Sequence, residues 1–219
     1  MSDQKPILIY CYDAYCGWCY GFSSVIKKIA EDYADKLQFE VVSGGMISAE
    51  NPMPIKAVAG YIASAYKQVE ATTGCRFGDD FLWHIMNPDE SDWYIHSEKA
   101  AIALCIIKQL MPERGLAFAT DLQYALNFEG RDLTDNEAYR HLTITYNIST
   151  ELFFKALKDE SFRQMAAQEF EMVRKLGVSG FPALLLQMPE GKTFWISNGF
   201  TPYHQVSERI QKILSPLTH

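Results

Sequence analysis

Cys16 and Cys19 stand with two residues between them in "DAYCGWCYGF", Asp13 to Phe22. Such a pair could serve in a metal clip, a structural disulfide, or a dithiol that exchanges with other sulfurs. A structural zinc site needs about four ligands, usually from a second Cys or His pair with its own short spacing. The sequence holds no second Cys-x-x-Cys and no His-x-x-x-His. Its five cysteines are odd in number and thinly spread, so a disulfide framework is not expected, and in a reducing compartment they would be mostly thiols. Two packed core thiols are the bland alternative.

The position of the pair favours the dithiol. With Cys16 as N-cap of a helix, its sulfur would face the unpaired N–H groups of Trp18 and Cys19. Those dipoles favour thiolate and lower the pKa. Cys19, one turn inward on the same side, could then attack a mixed disulfide formed at Cys16. The expectation is an exposed attacker and a shielded resolver. Asp13 works against the depression, because a nearby carboxylate raises a thiol's pKa. Asp13 equally fits a loop residue that binds local backbone N–H groups.

The elements that must position these thiols can be read on either side. "PILIYCY" has no polar alternation and fits a strand buried on both faces. Phe22, Val25, Ile26 and Ile29 then recur at helical spacing. "LQFEVVSGG" gives a second strand closed by Gly44-Gly45, completing a βαβ opening. From about Pro54 to Leu176 the pattern is helical, with little sign of strand. Pro54 is expected at a first helical position, and Ile55, Val58, Ala59, Ile62 and Tyr66 follow on one face. "SEKAAIALCIIKQLM" reads as a buried helix. Thr134 with Glu137 predicts a capping box, and Arg174-Lys175 before Gly177 predicts a helix end. "FPALLLQ" and "KTFWIS" read as two strands joined by "MPEG". Thr201-Pro202 predicts an N-cap and first turn of a helix running to about Leu214. The expected organisation is residues 1–48 and 178–219 as the two halves of one α/β unit, with residues 49–177 as an inserted helical domain.

The whole chain narrows the function. Its 219 residues are 48% apolar, enough for a core without a staple. A net charge of -7 without Lys/Arg runs argues against nucleic acid and anionic membranes as partners. No apolar run reaches the length of a membrane span. Ile7 to Tyr12 runs straight into the cysteine pair, unlike a secretory leader with its cleavage site, so the expected location is the cytoplasm.

Three features together resemble a known family: Cys16-Gly17-Trp18-Cys19 after a first strand, "GVSGFPALLL" before a later one, and a helical insert between the halves. The chain resembles the DsbA-family thiol–disulfide oxidoreductases over essentially its whole length, and in "HSEKAAIA" and "ALNFEGRDL" the cytoplasmic FrnE-like branch. The resemblance implies an α/β thioredoxin fold, βαβ…ββα, with a large all-helical insertion. It also implies Cys16 as nucleophile, Cys19 as resolving thiol and a cis Pro182 facing them. Trp18 and Phe181 become candidate substrate contacts. The branch often has Pro-Trp between its cysteines where this chain has Gly-Trp, which loosens the first helical position.

The expected function is a dithiol–disulfide oxidoreductase acting on protein or small-molecule disulfides or thiols. No bound cofactor is expected; glutathione is a possible redox partner. The alternative is a glutathione-dependent transferase or isomerase of small electrophiles, as in the relatives resembling 2-hydroxychromene-2-carboxylate isomerase and kappa-class transferases. Those typically carry serine at the first cysteine position, against which Cys16 speaks. A binding module without turnover is a third reading that the intact dithiol disfavours. Cys11 and Cys105 are expected to be buried core residues, and Cys75, in a polar loop, an inert but reachable thiol. The five histidines show no metal spacing.

Overall fold

The computed structural model describes residues 4–215. A four-stranded sheet of order β2-β1-β5-β6 is formed by β1 (Ile7–Tyr12), β2 (Gln38–Ser43), β5 (Ala183–Gln187) and β6 (Thr193–Asn198). β1 runs parallel to β2 and antiparallel to β5, and β5 is antiparallel to β6. The parallel step requires a crossover, which α1 (Gly17–Asp32) supplies.

β1 has no alternation because both faces of the sheet are covered. Leu8, Tyr10 and Tyr12 pack with Leu184 and Leu186 on one face. Ile9 and Cys11 pack with Val42, Ala183 and Leu185 on the other. The first face is covered by α1, whose Phe22, Ile26 and Ile29 are fully buried. Burying each such side chain contributes about 1.5–3 kcal/mol. α9 (Tyr203–Leu214) joins this side, with Val206 and Ile210 fully buried and Ser207 hydrogen-bonded to the hydroxyl of Tyr33. The second face is covered by Val173 of α8 (Glu160–Lys175) and by Val178 beyond it.

The helices between β2 and β5 share the core of the first face. They are α2 (Lys56–Thr73), α3 (Asp79–Met86), α4 (Glu98–Leu110), α5 (Gly115–Asn127), α6 (Arg140–Thr145), α7 (Thr150–Ala156) and α8. α4 is buried on every side from Ala100 to Ile107, as its all-round apolar sequence requires. Lys108 binds the Val41 carbonyl at 2.8 Å and Glu169 at 2.6 Å. Glu169 also accepts the Ser43 N–H at 2.7 Å. This pair ties α4 and α8 to β2. Across the described residues no helix is long and apolar enough to cross a membrane.

Three helix starts differ from the sequence expectation. Pro54 is not helical: Met53–Pro54 (β3) pairs with Tyr94–Ile95 (β4) in a small second sheet. The Ile55 N–H is held by the Trp93 carbonyl at 2.9 Å, so α2 begins at Lys56. Thr134 does not cap. Its N–H and hydroxyl both bind Asp132, Asp135 accepts the Glu137 N–H, and the Glu137 carboxylate pairs with Arg140 instead. Only a short 3-10 turn, Asn136–Tyr139, forms there before α6. Pro202 is itself the N-cap of α9, with extended backbone, and its carbonyl accepts the first helical N–H groups. The helix therefore starts one residue later than expected and ends at Leu214 as expected.

Candidate active site

β1 ends at Tyr12, and Asp13 turns the chain into α1, with the Cys16 N–H on the Asp13 carbonyl at 3.1 Å. Cys16 has extended backbone at the N-cap position of α1. Its sulfur makes no capping hydrogen bond. The Cys19 N–H goes to the Cys16 carbonyl at 2.9 Å, and the Cys16 thiol donates to the carbonyl of Phe181 at 3.5 Å. Both cysteines are free. Cys16 is 8% exposed and Cys19 is fully buried. The expected asymmetry is present, but Cys16 is a recessed thiol showing a sliver of surface, not an openly exposed one.

The two sulfurs differ in electrostatics as well as depth. Hydrogen bonding from the Cys19 thiol holds the Cys16 pKa below the ordinary cysteine value. The Cys19 and Trp18 backbone N–H groups add to this; burial and the Asp13 charge oppose it. The two N–H groups are the ones the sequence predicted at the start of α1. Burial drives Cys19 the other way, and its contact with Cys16 adds to the rise. The two thiols are therefore pushed in opposite directions, Cys16 at the mouth toward thiolate and Cys19 at depth toward thiol.

Asp13 is the structural centre of the site. Its carboxylate is 1% exposed and accepts from Tyr15 N–H at 3.0 Å, Met46 N–H at 2.8 Å and the Ser97 hydroxyl at 3.0 Å. Burial pushes its pKa up and these donors pull against the rise. It joins the β1–α1 turn, the segment after β2 and the start of α4. Local N–H binding was legible in the sequence; Met46 and Ser97 were not.

Pro182 is buried and the Phe181–Pro182 bond is cis, as expected. The Pro182 carbonyl accepts the Gly199 N–H at 2.8 Å. The structure brings Phe181 to Cys16 and leaves Trp18 half-buried, its ring 6.2 Å from that of Phe200. Tyr10 escaped the sequence reading. Its hydroxyl is buried without an oxygen or nitrogen partner. Burial raises its pKa, and the neighbouring Cys19 and Cys16 sulfurs raise it further. The one signal in the sequence is two tyrosines, Tyr10 and Tyr12, in an otherwise apolar strand. Burial pushes Cys11 up to about 12 and also raises Cys105 and the half-buried Cys75. None of the three has the lowered pKa of Cys16. Among the described residues no cluster of three or more His, Cys, Asp or Glu side chains could hold a metal ion.

Cys16 also forms part of the wall of a cavity of about 460 Å³, which extends from Trp18 and Phe181 along α2. Gly17 lies close against Phe77: a Cβ there would come within 3.3 Å of its ring.

Comparison with known proteins agrees with this geometry. A family model described as the DSBA-like thioredoxin domain matches residues 7–211. A solved structure from Nitrosomonas europaea is 24% identical, with a TM-score of 0.83 over 96% of this chain and 98% of that one. The cytosolic disulfide reductase DsbM from Pseudomonas aeruginosa with GSH is 21% identical, with a TM-score of 0.72 over 94% and 98%. A 2-hydroxychromene-2-carboxylate isomerase is 13% identical, with a TM-score of 0.67 over 94% and 95%. These three likenesses show the thioredoxin-like fold with its helical insertion. No curated protein matches the chain by sequence.

Proposed function

The chain belongs to the DSBA-like thioredoxin-domain family of thiol–disulfide oxidoreductases, and we propose that within it the chain is a cytoplasmic dithiol–disulfide oxidoreductase with Cys16 as nucleophile and Cys19 as resolving thiol. The observation that carries this reading is the opposed pair: a Cys16 with lowered pKa at the surface of a cavity and a Cys19 with raised pKa sealed behind it.

The Cys16 thiolate attacks one sulfur of a substrate disulfide. A Cys16–substrate disulfide forms and one substrate thiolate leaves. Cys19 loses its proton and attacks the Cys16 sulfur, and the second substrate thiolate leaves. The protein dithiol is oxidised by two electrons to the Cys16–Cys19 disulfide, and the substrate becomes two thiols carrying the two protons the dithiol gave up. Two molecules of a small thiol such as glutathione return the protein to the dithiol and leave as their disulfide. The same steps reversed oxidise a substrate dithiol. Pro182 places a residue without an N–H beside the reactive sulfur. The Phe181 backbone and Trp18 meet the substrate. The cytoplasmic assignment is supported by the likeness to a reductase described as cytosolic.

The test is disulfide exchange with insulin or glutathione disulfide. The wild type exchanges and Cys16→Ser does not. A Cys16→Ser variant that kept the activity would overturn the nucleophile assignment. The second reading, a glutathione-dependent isomerase or transferase of small electrophiles, is favoured by the cavity beside Cys16. It predicts that Cys16→Ser keeps conjugation or isomerisation while losing exchange.

A further inference from the structure

The cysteine chemistry uses the mouth of the cavity and leaves its body unassigned. At about 460 Å³ the body lies in the range of small-molecule sites, roughly 300–1,000 Å³. Val58, Ile62 and Ala65 line it at helical spacing along α2, so one face of that helix forms a wall. Phe81 and Trp93 also line it. The lining includes no Asp, Glu, Lys, Arg or His; Cys16 is the one group there with a lowered pKa.

That composition discriminates between ligands. A carboxylate entering this space would lose its water and find no cation. Three cations adjoin lining residues in sequence, and all three are turned to solvent: Lys56, Lys67 and Arg76 are exposed. Lys56 is paired with Asp89, and Arg76 lies 3.7 Å from Glu70. The chain's net charge of -7 adds a long-range penalty for anions. An uncharged aromatic or aliphatic group would instead gain from leaving water.

We propose that this cavity receives the uncharged apolar group of a small disulfide, so that the site reacts with neutral aromatic or aliphatic disulfides in preference to charged ones. The assignment rests on Cys16 as the attacking thiol. Glutathione disulfide, with its carboxylates, reaches the Cys16 sulfur from the mouth without filling the cavity.

The experiment compares single-turnover oxidation of the reduced protein by neutral 4,4′-dithiodipyridine and by dianionic 5,5′-dithiobis(2-nitrobenzoate). The rate ratio is divided by the same ratio for dithiothreitol, which removes intrinsic reactivity. The corrected preference for the neutral reagent is expected to be at least about tenfold, equivalent to about 1.4 kcal/mol. Ala65→Trp, which fills the cavity, returns it toward one and leaves oxidation by glutathione disulfide unchanged. Ala65→Arg, which adds a cation to the wall, lowers it by accelerating the dianion. The neutral fluorophore N-phenyl-1-naphthylamine binds the unmodified protein and is displaced by 4,4′-dithiodipyridine, a readout independent of either variant's folding. A corrected ratio of one in the wild type overturns the proposal, as does absence of fluorophore binding. Insulin reduction slowed by Ala65→Trp as much as the small reagent would assign the cavity to a protein side chain and overturn the small-molecule assignment. Failure of the proposed function looks different: each of the aromatic reagents and glutathione disulfide then oxidises the protein no faster than it oxidises dithiothreitol.

Discussion

The carbonyl oxygen of Phe181 lies 3.5 Å from the sulfur of Cys16, across 165 residues of sequence. The sheet makes this contact. Cys11 near the end of β1 is opposite Ala183 at the start of β5. In an antiparallel pair, residues after the first strand and residues before the second emerge at the same edge. The Asp13–Cys16 turn and the Phe181–Pro182 step are therefore neighbours by register.

The two thiols should titrate apart. Absorbance of the reduced protein near 240 nm, followed against pH, is expected to show one thiolate forming below the ordinary cysteine value of about 8.5. Cys16→Ser should remove that step, and Cys19 should contribute nothing in the same range. The linkage sign follows from a depressed folded pKa. The stability that the Cys16 thiolate contributes is fully present above the unfolded cysteine value and is lost as pH falls through the folded one. A first step at or above about 8.5 would contradict the opposed pair.

Cys19→Ser should accumulate a mixed disulfide at Cys16, because nothing remains to resolve it. Incubation with glutathione disulfide followed by intact-mass measurement is expected to show one glutathione adduct per chain, absent from wild type and from Cys16→Ser. Adduct formation on Cys75 instead would reverse the ranking of the reachable thiols.

Asp13→Asn should separate the two effects of that carboxylate. The amide cannot accept from Tyr15, Met46 and Ser97 together without presenting its own NH₂ to a donor. The expected loss of stability is about 1–3 kcal/mol, read from a urea midpoint. The Cys16 pKa should fall further, because the Asp13 charge holds it up. An unchanged titration with a lowered midpoint would make Asp13 purely structural.

Gly44→Ala should displace Phe181. A Cβ at Gly44 would lie 2.0 Å from the far carbon of the Phe181 ring, while the Gly44 N–H is held at 2.7 Å by the Tyr12 carbonyl. Something must move, and the ring is softer than the backbone pairing. The expected cost is about 1–3 kcal/mol of stability. Disulfide exchange by the folded variant should also fall, because the carbonyl above Cys16 moves with its residue. Full exchange at reduced stability would show that the Phe181 ring and its carbonyl are uncoupled.

The sequence alone determined the elements whose pattern is local. β1 declared itself by seven residues without polar alternation, and α1 by the spacing of Phe22, Val25, Ile26 and Ile29. α4 was legible as buried because no face of it is polar. Cys16 and Cys19 could be placed at a strand-to-helix step, since periodicity changes there within a few residues. Pro182 was legible only through resemblance to a family, because nothing in "GVSGFPALLL" itself says which strand it will face.

Tertiary structure decided what depends on partners far away in the chain. Pro54 reads as a helix start until Trp93 and Tyr94 arrive to pair with its segment. Thr134 and Glu137 have the types and spacing of a capping box, but Asp132 and Arg140 bind them more closely. The Trp18 and Cys19 N–H groups that lower the Cys16 pKa are local and legible in the spacing, whereas the burial that opposes them comes from the fold. Asp13 illustrates the limit. Its bond to the Tyr15 N–H, two residues on, is the Asx-type contact a sequence can suggest. Its bonds to Met46 and Ser97 exist because a helix start and a strand exit converge on one buried carboxylate, which must fill its acceptor sites from whatever the fold brings near.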